Sequence, residues 1–198
     1  MTSRLLAALA LATSLTGPVF SSQALAESVD YTLDPSHSQV VYNYNHLGFS
    51  TTYGLFGGLT GEIAFDAEDP AASSVEVSFP VTNLLTGWAE RDAHFLTADF
   101  FGAEENADVT FKSTSIEVTG EKTANITGDL TINGITKPVV LATTMNQMGM
   151  HPMANQEWMG FDATTVVKRT DFDMGMFAPY VGDEVNVFIS IEAMKAAE

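Results

Sequence analysis

The sequence predicts an all-β domain, an antiparallel barrel or sandwich of short strands. Three observations carry that reading. Apolar and polar residues alternate over several short runs, the period of a sheet buried on one side. The runs follow one another closely, separated by Gly, Asp and Asn. One pair of runs is joined by Asn133-Gly134, a dipeptide that accepts positive φ at both central positions of a type I′ hairpin turn.

The chain begins with a segment outside that pattern. Residues 1–26 carry one early charge, Arg4, then an apolar run from Leu5 to Leu15 that Gly17-Pro18 ends. Ala24-Leu25-Ala26 is the small-x-small sequence of a cleavage site, so the segment reads as a secretory signal peptide. The apolar run is too short for a bilayer of roughly 30 Å, which excludes an anchor. Residues 27–198 then form one domain, expected in the periplasm of a Gram-negative cell. Without Arg4, seven basic residues stand against 25 acidic ones, a formal net charge of −18. Such a surface repels nucleic-acid phosphates and anionic lipids. There is no cysteine, so neither a lipoprotein anchor nor a disulfide is available and stability must come from the core.

Each strand has its own signature. In QVVYNYNH, residues 39–46, Val40, Tyr42, Tyr44 and His46 share one face. SVEVSFPV sets Val75, Val77, Phe79 and Val81 against a polar face that includes Pro80, which cannot donate a ladder hydrogen bond and predicts an edge or bulge. Further strands are predicted over 61–66, 109–113, 115–119, 161–169 and 185–192. Residues 86–107, which include RDAHFLTADFF, predict one or two short helices, the second capped by Thr97 with Asp99 favoured by the helix dipole. Residues 145–159 read as a methionine-rich loop.

The order of motifs carries a resemblance. DPSHS at 34–38 leads into the first long strand, which ends in His46-Leu47-Gly48. RDAHFLTADFF at 91–101, TFKST at 110–114, GDLTINGITKPV from Gly128 and Arg169-Thr170-Asp171-Phe172 follow. The set resembles the YceI-like family over nearly all of residues 27–198. That resemblance implies a lipocalin-like antiparallel β-barrel of about eight strands around a long apolar tunnel, holding a polyisoprenoid such as the tail of a quinone. Two departures bear on turns: Asp173 stands where the family often has glycine, and Asn106-Ala107 precede Thr110-Phe111 where a proline is common.

A tunnel of this kind is expected to be lined by Val40, Tyr42, Tyr44, Phe56 and Phe65. Val77, Phe79, Trp88, Phe95 and Phe100 would continue it, with Phe111, Leu130, Ile132 and Phe161 opposite. Such a lining suits a prenyl chain, each buried CH₂ contributing about 0.8 kcal/mol. The same residues would serve equally as a filled core. His37 and His46 are candidates for polar contact with a cargo head group. Arg91 and Asp92 are expected to pair with Asp171 and Arg169, fixing the helix on the barrel.

Enzymatic chemistry finds little support. His37 and Ser38 are adjacent on a strand and point apart, and no G-x-S-x-G elbow, H-E-x-x-H helix or phosphate loop occurs. The expected function is therefore carriage or storage of a lipid, with no resident cofactor and no chemical step. The alternative is an exported copper-binding protein. Met145, Met148, Met150, His151 and Met153 offer the soft thioether and imidazole ligands suited to Cu(I), though methionines also adapt an apolar rim to a variable lipid. Edge strands would allow a homodimer.

Overall fold

The computed structural model describes residues 28–197, so the predicted signal peptide lies outside the described residues. Eleven strands form one sheet that closes on itself. In chain order they are β1 (Val29–Leu33), β2 (Gln39–His46), β3 (Ser50–Phe56), β4 (Thr60–Phe65), β5 (Ser74–Pro80) and β6 (Leu84–Leu85). Then come helix α1 (Ala89–Phe95), β7 (Asp108–Gly120), β8 (Thr123–Ile132), β9 (Ile135–Met150), β10 (Glu157–Lys168) and β11 (Val181–Lys195).

The first six strands are three long ones, each broken once. Asp34-Pro35 separates β1 from β2, and both halves pair with β11. Gly57-Gly58 separates β3 from β4, with Gly58 at φ +72°, a conformation that costs glycine little. Pro80 ends β5, and a short 3-10 turn, Val81–Asn83, leads into β6. Counted that way, the wall is an up-and-down meander of eight antiparallel strands, closed where β1 pairs with both β4 and β11. Closure leaves β1 no free edge.

The local predictions fare unevenly. Asn133 and Gly134 adopt φ +50° and +71°, and Ile132 pairs with Ile135, as a type I′ hairpin requires. The predicted strands 109–113 and 115–119 are one strand, β7, whose register shifts between Ser113 and Ser115. Of the one or two helices expected over 86–107, α1 forms and the second does not. The Thr97 hydroxyl donates back to the His94 carbonyl at 2.7 Å, and the chain continues in turns to residue 105. The methionine loop is also shorter than expected, because residues 145–150 belong to β9 and 157–159 to β10. Asp173, in the glycine position of the family pattern, holds the left-handed conformation itself at φ +57°.

Two apolar clusters form, and they differ in kind. One closes part of the α1 end, where Val81, Phe100, Val109, Ile132, Phe172 and Met174 are all buried. The other lines the barrel, and many of its inward residues, among them Phe65, Phe79, Phe161, Val187 and Ile189, are only partly buried. A barrel filled by its own side chains would hide them. The interior is a cavity.

A tunnel through the barrel and its two mouths

The cavity has a volume of about 830 Å³ and extends along the barrel. At one end its lining reaches Ala67, Pro70, Ser73 and the β7–β8 turn, Gly120 to Thr123. At the other it reaches His46, Ser50, Trp88, His94 and Phe177, around α1. The strands supply the wall by simple alternation: Val40, Tyr42 and Tyr44 from β2, Val75, Val77 and Phe79 from β5, and Val185, Val187, Ile189 and Ile191 from β11.

All fourteen residues expected to line a tunnel do line it: Val40, Tyr42, Tyr44, Phe56, Phe65, Val77, Phe79, Trp88, Phe95, Phe100, Phe111, Leu130, Ile132 and Phe161. The β11 residues were not among them, although VNVFISI shows the same period of two and could have added them. Aromatic rings concentrate toward α1. Tyr42 stacks on Tyr44 with centroids 6.5 Å apart, Phe56 meets Phe79 at 5.1 Å, and Phe101 stands edge-on to Phe56 at 5.6 Å. Phe95 packs on Phe100 at 4.8 Å. RDAHFLTADFF thus works as a wedge of phenylalanines completing the tunnel wall where β6 ends.

The two candidate histidines part company. His46 lines the mouth beside α1. His37 sits at the break between β1 and β2, where its Nδ1 lies 2.5 Å from Asp34 Oδ2. Asp34 also accepts from the Ser36 hydroxyl and amide, at 2.7 and 2.9 Å. The Asp34 hydrogen bond raises the pKa of His37. Burial alone would raise Asp34, but the hydrogen bonds from His37 and Ser36 draw it below the usual carboxylate range. Ser38 bonds instead to the backbone of Glu192, so the serine that meets the His37 ring is Ser36, whose Oγ lies 3.1 Å from Nδ1, the nitrogen that also faces Asp34. Asp34, His37 and Glu192 bring one ligand atom each within 4.8 Å of one another, but Asp34 and His37 already satisfy each other, which makes the group a hydrogen-bonded turn.

The expected ion pairs are not made among the described residues. Arg169 is buried and spends its guanidinium on backbone carbonyls: those of Gly182, Met174, Met176 and Val181, at 2.6 to 3.2 Å. Burial lowers its pKa, with Asp183 opposing. Asp92 accepts from the Thr86 amide and hydroxyl at 2.8 and 2.5 Å, tying α1 to the turn before it. Arg91 lies over the Trp88 ring, 5.4 Å from its centroid, and Asp171 is exposed. The fork of Arg169 is better matched to four converging carbonyls than to a solvated carboxylate.

The copper alternative loses its geometry. Met145 and Met148 line the tunnel, whereas Met150 and Met153 are exposed. His151 Nδ1 accepts from the Met153 and Ala154 amides at 3.3 and 3.0 Å, and its ring lies against Trp158.

Comparison with known proteins places this geometry. The YceI-like domain model matches residues 31–193. The chain belongs to the YceI-like family. A UPF0312 protein of Ectopseudomonas mendocina is 41% identical over 192 residues, 96% of this chain and 97% of that one. One from Azotobacter vinelandii is 37% identical, covering 98% of this chain and 100% of its own. Among solved structures, BcnA of Burkholderia cenocepacia aligns with TM-score 0.73 at 25% identity, over 81% of this chain and 98% of its own. A polyisoprenoid binding domain from Saccharophagus degradans aligns with TM-score 0.66 over 85% of this chain and 99% of its own. At 11% identity, that likeness speaks to the fold. The closed YceI-like barrel is thereby established.

Proposed function

We propose that the protein holds one long isoprenoid chain, free or as the tail of a quinone, and carries or stores it in the periplasm without altering it. The observation that carries this reading is the apolar tunnel itself, continuous between two mouths and lined by rings and branched aliphatic side chains. A slender, unsaturated, flexible cargo suits it, since rings pack against prenyl methyls and few polar groups along the bore would need partners. A solved relative in fold is a polyisoprenoid binding domain, which supports the same cargo class here. Residues 1–26, with their signal-peptide pattern, support export. No helix among the described residues is long and apolar enough to cross a membrane.

Native mass spectrometry of the protein purified from its own periplasm, followed by solvent extraction, tests the reading. A bound mass of several hundred daltons that extracts as a prenyl lipid is expected. Protein recovered empty, which also fails to take up an added isoprenoid quinone, would overturn it.

A further inference from the structure

The mouth beside α1 is ringed by exposed apolar side chains, two of which, Trp88 and Phe177, also line the tunnel. Leu47 and Phe49 stand on the β2–β3 turn, Trp88 opens α1, and Phe177 and Tyr180 lie between β10 and β11. Phe49 is 89% exposed and Tyr180 77%, with Phe177 and Trp88 both more than half exposed. They form one rim. The Leu47 amide donates to the Tyr180 carbonyl at 3.2 Å, which joins the turn to the loop. The Phe177 ring lies 6.4 Å from that of His94, which joins the loop to α1.

Water-facing rings gathered at one end are unusual on a monomer and mark a contact surface. We propose that this rim docks on a phospholipid bilayer, setting its rings at head-group depth so that the tunnel opens onto the acyl region. The proposal rests on the lipid-carrier reading. Trp, Tyr and Phe on protruding turns suit the interface, where one part of each ring is apolar and the other wet.

The α1 end carries exposed acids, Glu90, Asp99, Asp171 and Asp173, but also a cation at its mouth. Arg91 lines the mouth, lies over Trp88 and forms no salt bridge among the described residues, which leaves a cation for a lipid phosphate. His46 and His94 line the same mouth. His94 also approaches Asp99 at 3.4 Å. The opposite end also carries exposed acids, Glu68, Asp69 and Glu121, with Lys122 and Lys195 nearby. The chain as a whole carries −17, so long-range attraction to an anionic membrane is absent. Docking therefore proceeds by short-range insertion and is insensitive to salt.

Flotation of the protein, without its signal peptide, with phosphatidylcholine vesicles tests this, using a Phe49→Ser/Tyr180→Ser double variant for comparison. The wild type is expected to float equally at low and high salt. The variant is expected to lose at least about tenfold in vesicle affinity while keeping its circular dichroism spectrum and its cargo by native mass spectrometry. A wild type that stays below the vesicles, or a variant that floats as well, would overturn the docking surface. So would a concentration-dependent dimer that the variant dissolves while neither protein binds vesicles, since the rim would then join two copies. Protein that floats yet proves empty, and takes up no added isoprenoid quinone, would retain the docking surface and sink the carrier reading instead.

Discussion

Tyr42 on β2 lies across Gly54, its directly paired neighbour on β3, and the phenol ring fills the space that a Cβ at position 54 would occupy. The ring is held there by stacking on Tyr44 and by Phe56, whose centroid is 5.7 Å away. Its hydroxyl is buried without a hydrogen-bond partner among the described residues, and burial raises its pKa. A missing side chain on one strand sets the pose of a ring on the next, and so the bore of the tunnel.

Gly54→Ala is therefore expected to push the Tyr42 ring into the tunnel and to lower stability by about 1–3 kcal/mol in urea unfolding. Most of that cost should vanish when Tyr42 is alanine as well, read as a coupling energy in a double-mutant cycle. Additive effects would mean that the two positions do not set each other's geometry.

Tyr42→Phe has the opposite sign. Removing an unpartnered buried hydroxyl should leave stability unchanged or raise it by up to about 1 kcal/mol. A loss above that figure would mean that the hydroxyl has a partner in solution.

Phe79 faces the bore and packs on Phe56. Phe79→Arg puts an unpaired charge in an apolar tunnel, which should abolish lipid content in native mass spectrometry. Because Phe79 is only half-buried, the barrel is expected to keep its far-ultraviolet spectrum. Retention of a full lipid load would remove Phe79 from the binding surface.

Arg169 holds the loop before β11 by its carbonyls, a role of geometry as well as charge. Arg169→Met should destabilise the protein by about 2–4 kcal/mol, since it strands buried acceptors. Arg169→Lys should recover only part of that, because an ammonium cannot reproduce the fork. Full rescue by lysine in denaturant melts would show that charge alone suffices.

The pH dependence follows from Asp34 and His37. His37 has a raised folded pKa, so its stabilisation is fully present below the unfolded value of about 6.5 and is lost as pH rises through the folded value. Asp34 has a lowered one, so its contribution is present above about 3.9 and is lost as pH falls through the folded value. The melting temperature of the wild type should exceed that of His37→Gln most between about pH 4 and 6.5, and the gap should close at alkaline pH. A gap as wide at pH 9 as at pH 5 would show that the imidazole acts without its charge.

The strands and the tunnel lining were legible because alternation fixes which face a side chain takes, whatever lies on that face. Val77 and Phe79 read as inward from sequence alone and are inward. Whether inward meant packed or lining was not legible, since the same apolar residues serve both and the difference is a volume no single residue encodes. The charged motifs were misread for a related reason. Opposite charges at 91, 92, 169 and 171 suggest pairs, but Arg169 met four carbonyls of a loop whose path no local pattern shows, and Asp92 met a threonine six residues back. The methionines looked like one cluster in the chain, but Met145 and Met148 line the tunnel while Met150 and Met153 face solvent.

Closure of the ladder between β1 and its two neighbours also has a kinetic meaning. A cleft admits a ligand sideways, all at once; a sealed tube admits it only end first. A cargo of the proposed kind would have to thread, each unit waiting for the one ahead, so exchange should slow steeply with chain length even among ligands of equal affinity. On the proposed function, the tube would gauge the thickness of a chain at its entrance and its length by the time it takes to leave.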